Sequence, residues 1–159
     1  SSIRVSNYWK LRRYIMAKWA EVKSNDWAAD IDAMHKKFGV KAWFEANKDN
    51  RELMEKYIKF RLSMCKEELD ETMDAIDARD PEEIVDGLID MCVFAIGTLD
   101  VFGVNANDAW NRVYGANMAK SPGVKEGRPN PFGLPDLMKP EGWEAPSHEG
   151  NHGDLKKAV

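Results

Sequence analysis

At 159 residues the chain is long enough for one domain with a sizeable core, and its 43% hydrophobic, 31% charged composition is that of an ordinary globular protein. Lys and Arg number 23 against 27 Asp and Glu, a formal net charge of -4, which argues against bulk nucleic-acid binding and gives no electrostatic reason to expect a membrane surface. No apolar run reaches spanning length and no signal-peptide pattern is visible, so the chain is expected in the cytoplasm, with Cys65 and Cys92 as buried, reduced thiols.

Residues 1–24 read as an accessory element. Tyr8, Leu11, Ile15, Trp19 and Val22 repeat at helical spacing, and Lys10, Arg12, Arg13 and Lys18 occupy the other face. Given the acidic total, a packing or oligomer-forming helix with a solvated basic side is favoured over a nucleic-acid contact. A core over residues 25–120 follows. Its first helix starts near Trp27, with Asn25 or Asp26 at the cap and Trp27, Ile31, Met34 and Phe38 on one side, and Gly39 ends it. His35 beside that stripe reads as a structural histidine. Val40 to Asp49 reads as a connection in which Trp43 and Phe44 pack down.

A long helix is expected from Asn50 to about Ala78. One apolar row, Leu53, Tyr57, Phe60 and Met64, continues into Glu67 or Glu68 and then Glu71, and a second runs Met54, Ile58, Cys65, Leu69, Thr72 or Met73, and Ile76. Two rows predict neighbours on two sides, as in a bundle. Carboxylates that take over a buried row need a charge partner or a metal ion, because desolvating them alone is costly. The alternative is a solvated acidic face. Asp80-Pro81-Glu82-Glu83 carries a cap, a first-turn proline and the glutamate of a capping box, so a third helix runs from Pro81 to about Phe102. It is apolar nearly all round and is expected at the centre of the domain. Asp86 and Asp90 interrupt it one turn apart on a single face, with Val93 and Gly97 beyond them.

Gly103 closes that helix, and Asn105 caps a fourth that runs to about Met118, with Trp110, Val113 and Tyr114 as packing residues and Asn117 and Lys120 at its end. Ser121-Pro122-Gly123 stops it. Six of the chain's 7 prolines lie from Pro122 to Pro146. Residues 121–159 are therefore expected to be an irregular Pro/Gly-rich tail, a wrap ordered on contact or a mobile lid, with disorder from about Ser147.

Two facing helices thus offer Glu67, Glu68 and Glu71 against Asp86 and Asp90. Oxygen-only ligands suit Mg²⁺ or Mn²⁺ rather than zinc, and His35, His148 and His152 supply no Glu-x-x-His pair for a di-iron bundle. Mg²⁺ held by several carboxylates implies a substrate that brings phosphates.

These residues resemble the all-α nucleoside triphosphate pyrophosphatases, the MazG-like and phosphoribosyl-ATP pyrophosphohydrolase-like group, including its dUTPase-like and bacteriophage branch. The resemblance rests on Glu67-Glu68-x-x-Glu71, then Asp86-Gly87-Leu88-Ile89-Asp90 with Val93, Gly97 and Phe102-Gly103-Val104. It continues through Ala116-Asn117-Met118-Ala119-Lys120 and Lys139-Pro140-Glu141-Gly142-Trp143, and covers about Trp27 to Pro146. It implies an all-α fold with a four-helix-bundle core and hydrolysis of a (deoxy)nucleoside triphosphate to monophosphate and pyrophosphate. It implies Mg²⁺, replaceable by Mn²⁺, on Glu68, Glu71 and Asp90 with Asp86 as a further ligand, and a catalytic pair Glu67 and Glu68. In that pair Glu67 is a second-metal ligand or an orienting base for water. Asn117, Lys120 and Lys139 would bind substrate, and a homo-oligomer, dimer or tetramer, would assemble the site. One departure stands out: many members carry Glu where this chain has Gly87. That departure keeps open a second reading, a non-catalytic helical oligomer that retains the bundle.

Overall fold

A computed structural model of the protein describes residues 22–24 and 26–159; the helix expected over Tyr8–Val22 lies outside them except for its last residue. Five α-helices account for most of the described chain: α1 (Trp27–Lys37), α2 (Val40–Asn47), α3 (Arg51–Asp77), α4 (Pro81–Val101) and α5 (Ala106–Met118). The fold is all-α, as expected. Among the described residues no single helix is long and apolar enough to cross a membrane.

The helix starts are locally encoded. Asp26 accepts from the amides of Ala28 and Ala29 (2.9 and 3.2 Å), Asn50 from Leu53 (3.1 Å), Asp80 from Glu83 (3.3 Å) and Asn105 from Asp108 (3.0 Å). Each oxygen satisfies an N–H that the first helical turn leaves without an intrahelical acceptor. The capping box at Asp80 is only half made, because the Asp80 amide donates to the Ala75 carbonyl (3.0 Å) instead of to Glu83. The segment after Gly39 corrects the expectation of a plain connection. Gly39 adopts φ +79° and α2 begins at once, burying Phe44 while Trp43 lies 4.7 Å from Tyr57, centroid to centroid.

α3 and α4 are joined by a three-residue turn and form the helical hairpin against which α1, α2 and α5 pack. The core lies at one end of it: Phe44, Met54, Val101, Phe102 and Ala158, surrounded by Val40, Leu53, Tyr57, Ile58 and Leu155. The other end is different. Leu69, Met73 and Ile76 of α3 and Val85, Leu88 and Ile89 of α4 are exposed in the single chain. The expectation that α4 lies at the centre of the domain is therefore corrected for its N-terminal half: only its C-terminal half enters the core.

The tail is less irregular than its composition predicts. β1 (Ser121–Gly123) pairs antiparallel with β2 (Asp136–Met138), Ser121 opposite Met138. The expected disorder beyond Ser147 is also overturned. Arg112 donates to the carbonyls of Ser147 and Glu149 (2.8 and 2.9 Å), and Asn151 and Asn105 exchange two bonds (2.8 and 2.9 Å). The Asp154 amide donates to the Phe102 carbonyl (2.6 Å), and a 3₁₀ turn, Leu155–Lys157, brings Leu155 and Ala158 onto the core. Leu155 and Ala158 reach the core because a glycine, Gly153, lets the two backbones meet.

Candidate active site

The α3–α4 hairpin places Glu67, Glu68 and Glu71 across from Asp86 and Asp90. Glu68 is half-buried and the other four are exposed. Burial, then the negative charges of Asp90, Glu71, Glu67 and Asp86, raise the Glu68 carboxyl above its ordinary value of 4.5. The five carboxylates therefore share one electrostatic field. None of them forms an ion pair among the described residues, whereas Asp70, on the outer face of the same helix, is neutralised by Lys66 (2.6 Å). The acidic run thus divides, with Asp70 paired on a solvated face, Glu68 half-buried against α4, and Glu67 and Glu71 exposed beside it.

Gly87 has a packing reason of its own. A Cβ there would overlap the Thr72 hydroxyl and lie 3.2 Å from Thr72 Cβ, and that hydroxyl donates to the Glu68 carbonyl (2.6 Å). The glycine lets α4 close on α3 beside Glu68, between the turns that carry Asp86 and Asp90. A glutamate at 87 would point into α3.

Five carboxylates without cationic partners among the described residues suit a hard divalent cation in donor chemistry. They do not converge within the single chain: among the described residues no three His, Cys, Asp or Glu side chains are grouped closely enough to hold one ion. The remaining candidates lie elsewhere. Asn117 sits exposed in the last turn of α5, and Lys120 and Lys139 flank the β1–β2 ladder. Both ammonium groups lie over the Trp143 indole, 5.3 and 5.1 Å from a ring centroid, and Trp143 Nε1 donates to the Ala116 carbonyl (2.8 Å). Among the described residues no hydrogen bond or ion pair links this group to the carboxylates.

A third polar cluster was not singled out by the sequence. His35 is buried, as a structural histidine should be, and its Nδ1 meets Asp100 at 2.7 Å; Lys41 joins the same carboxylate at 3.0 Å and reaches Asp32 at 2.7 Å. Arg61 donates to Thr98 Oγ1 (3.2 Å) and to the Phe94 carbonyl (3.3 Å) in the space left by Gly97. The signal available was Gly97 itself, a glycine in the middle of an apolar helix, which marks a close approach.

The chain matches the family described as phosphoribosyl-ATP pyrophosphohydrolase over residues 34–117, a stretch that begins in α1 and ends one residue before the end of α5. No curated protein and no solved structure matches it. The matched stretch covers more than half of the chain and contains both halves of the carboxylate cluster together with the hairpin that opposes them. The chain therefore belongs to the phosphoribosyl-ATP pyrophosphohydrolase family of the all-α NTP pyrophosphatases, hydrolases that act on phosphoanhydride bonds.

Proposed function

We infer that the protein is a Mg²⁺-dependent nucleoside triphosphate pyrophosphohydrolase, with Mn²⁺ as a substitute ion, converting a (deoxy)nucleoside triphosphate and water to a monophosphate and pyrophosphate. The observation that carries this reading is the set of five carboxylates on one hairpin, unpaired among the described residues, with Glu68 held above its ordinary pKa by burial and then by the other four. Such crowding disfavours the folded chain unless a cation offsets it. Glu68, Glu71 and Asp90 would hold the ion, and Asp86, one turn before Asp90, would complete the set. When bound, the ion supplies neutralisation of phosphate oxygens and a more acidic water. Glu67, adjacent to that set and exposed, orients the attacking water and accepts its proton. Asn117 hydrogen-bonds the nucleoside, and Lys120 and Lys139 offset phosphate charge.

A second copy of the chain is part of this reading. Leu69, Met73, Ile76, Val85, Leu88 and Ile89 flank the carboxylates and are exposed, an apolar face that a lone soluble chain rarely leaves open. Covering it in a symmetric dimer or tetramer draws the carboxylates into a drier, tighter space, which is what convergence on one ion requires. Gly87, the residue that favoured a non-catalytic oligomer, is accounted for by its contact with Thr72.

The test is pyrophosphate release from a panel of canonical and modified nucleoside triphosphates with Mg²⁺, run on wild type, Glu71→Gln and Asp90→Asn. Wild type should turn over at least one triphosphate. Each variant should lose most turnover while keeping its helix content and oligomer size. Activity within about threefold of wild type in both variants, less than about 1 kcal/mol of barrier, would contradict the assignment.

A further inference from the structure

Lys120 immediately precedes β1 and Lys139 immediately follows β2. Because Ser121 pairs with Met138 in the antiparallel ladder, Lys120 and Lys139 stand one step further out and opposite each other. Like charges directly opposite on a ladder repel, and sequences ordinarily avoid them. Here the arrangement is reinforced. The Trp143 indole lies under both ammonium groups, at 5.3 and 5.1 Å, so the two are at most about 10 Å apart, and neither has a carboxylate within 4.0 Å among the described residues. The indole is itself fixed by its N–H on the last full turn of α5. The local charge is no longer acidic: from residue 120 to 144, Lys120, Lys125, Arg128 and Lys139 balance Glu126, Asp136, Glu141 and Glu144, within a chain of net charge -4. Asp136 is occupied in accepting from the Lys125 amide (3.0 Å).

We propose that Lys120, Lys139 and Trp143 form a preorganised clamp for a diphosphate group, with the two ammonium groups binding the anionic oxygens of successive phosphorus atoms and the indole setting their spacing. This goes beyond assigning phosphate charge to two separate lysines: the hairpin register and the indole make them one dication. The clamp rests on the phosphoanhydride reading for its ligand, and that ligand has two sources, the terminal phosphates of a bound nucleotide or free pyrophosphate after cleavage. Trp143 is a positioning residue, acting through the lysines.

The experiment is calorimetric titration of the full chain in EDTA, where the metal-free carboxylates repel the ligand and leave the lysines as the attractive element. The probes are inorganic pyrophosphate and an α,β-imido nucleoside triphosphate. Wild type should bind pyrophosphate, and Lys120→Gln and Lys139→Gln should each weaken it about tenfold or more, the worth of one charge-assisted contact. Lys139→Arg should restore most of the affinity, and Trp143→Leu should weaken it although it removes no charge. Equal losses for the imido nucleotide assign the clamp to bound substrate; losses confined to pyrophosphate assign it to product. Absence of pyrophosphate binding by wild type, or wild-type affinity in both lysine variants or in Trp143→Leu, overturns the clamp. Lys139 is exposed, so its variants answer the question even where Trp143→Leu disturbs the tail. Failure of the hydrolase reading shows separately, as no pyrophosphate release from any triphosphate while this titration still succeeds.

Discussion

Replacing Gly153 by alanine should damage the protein far more than the same change at Gly150, three residues earlier. Both glycines have left-handed backbones, φ +51° and +77°. Adding a Cβ in that region costs about 1 kcal/mol, partly offset by the stiffer unfolded chain. At Gly150 nothing lies within 4 Å of the added atom, so that small term is all. At Gly153 the new Cβ would overlap the Phe102 carbonyl oxygen and lie 2.6 Å from the Gly103 carbonyl carbon. Those atoms are backbone and cannot rotate away. The tail must move outward, taking with it the bond from the Asp154 amide to Phe102 and the burial of Ala158. Overpacking of this kind costs a further ~1–3 kcal/mol. For a chain of this size that is a melting temperature lower than that of Gly150→Ala by roughly 2–12 °C. Far-UV circular dichroism melts of wild type and both variants, at one protein concentration, read it directly. Melting temperatures within about 2 °C of each other would mean that the tail contributes nothing to the core, and the docking described here would be wrong.

Three further outcomes follow from the site and its surroundings. Gly87→Glu, which restores the residue common in relatives, should lower the melting temperature and not raise turnover, because the side chain meets Thr72; a stable variant with higher activity would refute the packing explanation. In EDTA, Glu68→Gln should melt above wild type at pH 7. A carboxyl whose folded pKa is raised favours folding below its ordinary value of 4.5 and loses that contribution as the pH climbs through the folded pKa. The gap should therefore close in acid, and Mg²⁺ should stabilise wild type more than the variant; a gap independent of pH counts against the crowding. Asp32 has the opposite sign. Lys36 and Lys41 hold it down to about 2, so its pairing stabilises above its ordinary 3.8 and is lost as the pH falls toward 2. Solvent screening limits this to ~0.5–1 kcal/mol, and Asp32→Asn should cost that much in urea titrations at pH 7 and progressively less in acid.

The legible parts of the fold are those encoded locally. Asn50, Asp80-Pro81 and Asn105 mark helix starts because capping is a bond between near neighbours, and the lengths of α3 and α4 follow from long uninterrupted periodicity. The carboxylates are visible for the same reason: they replace apolar residues in a row whose phase is already fixed. What the sequence hides depends on distant partners. α2 is too short to show a period and has no side-chain cap, so Val40 to Asn47 reads as a link. Leu155 and Ala158 lie in a polar, glycine-containing stretch and acquire meaning only from Phe102 and Met54. The pairing of Lys120 with Lys139 depends on a ladder register that no local pattern announces. The exposure of Val85 and Leu88 contradicts the apolar character of α4, because hydrophobicity does not say whether the same chain or another covers a face.

The docked tail also sets an order of events in time. α3 and α4 meet through a three-residue turn, whereas Ala158 must find Phe102 across about a third of the chain and Phe44 and Met54 across most of it. Closing a long loop costs more entropy than closing a short one, so the hairpin is expected to form early and the tail to dock last. Interactions made after the rate-limiting step change the unfolding rate and leave the folding rate nearly untouched. Gly153→Ala should accordingly refold at close to the wild-type rate and unfold many times faster in stopped-flow denaturant jumps. The lifetime of the folded core is then governed by how long Leu155 and Ala158, with the bonds made by Arg112, Asn151 and the Asp154 amide, stay in place: when they lift away, Phe44, Met54 and Phe102 lose part of their cover.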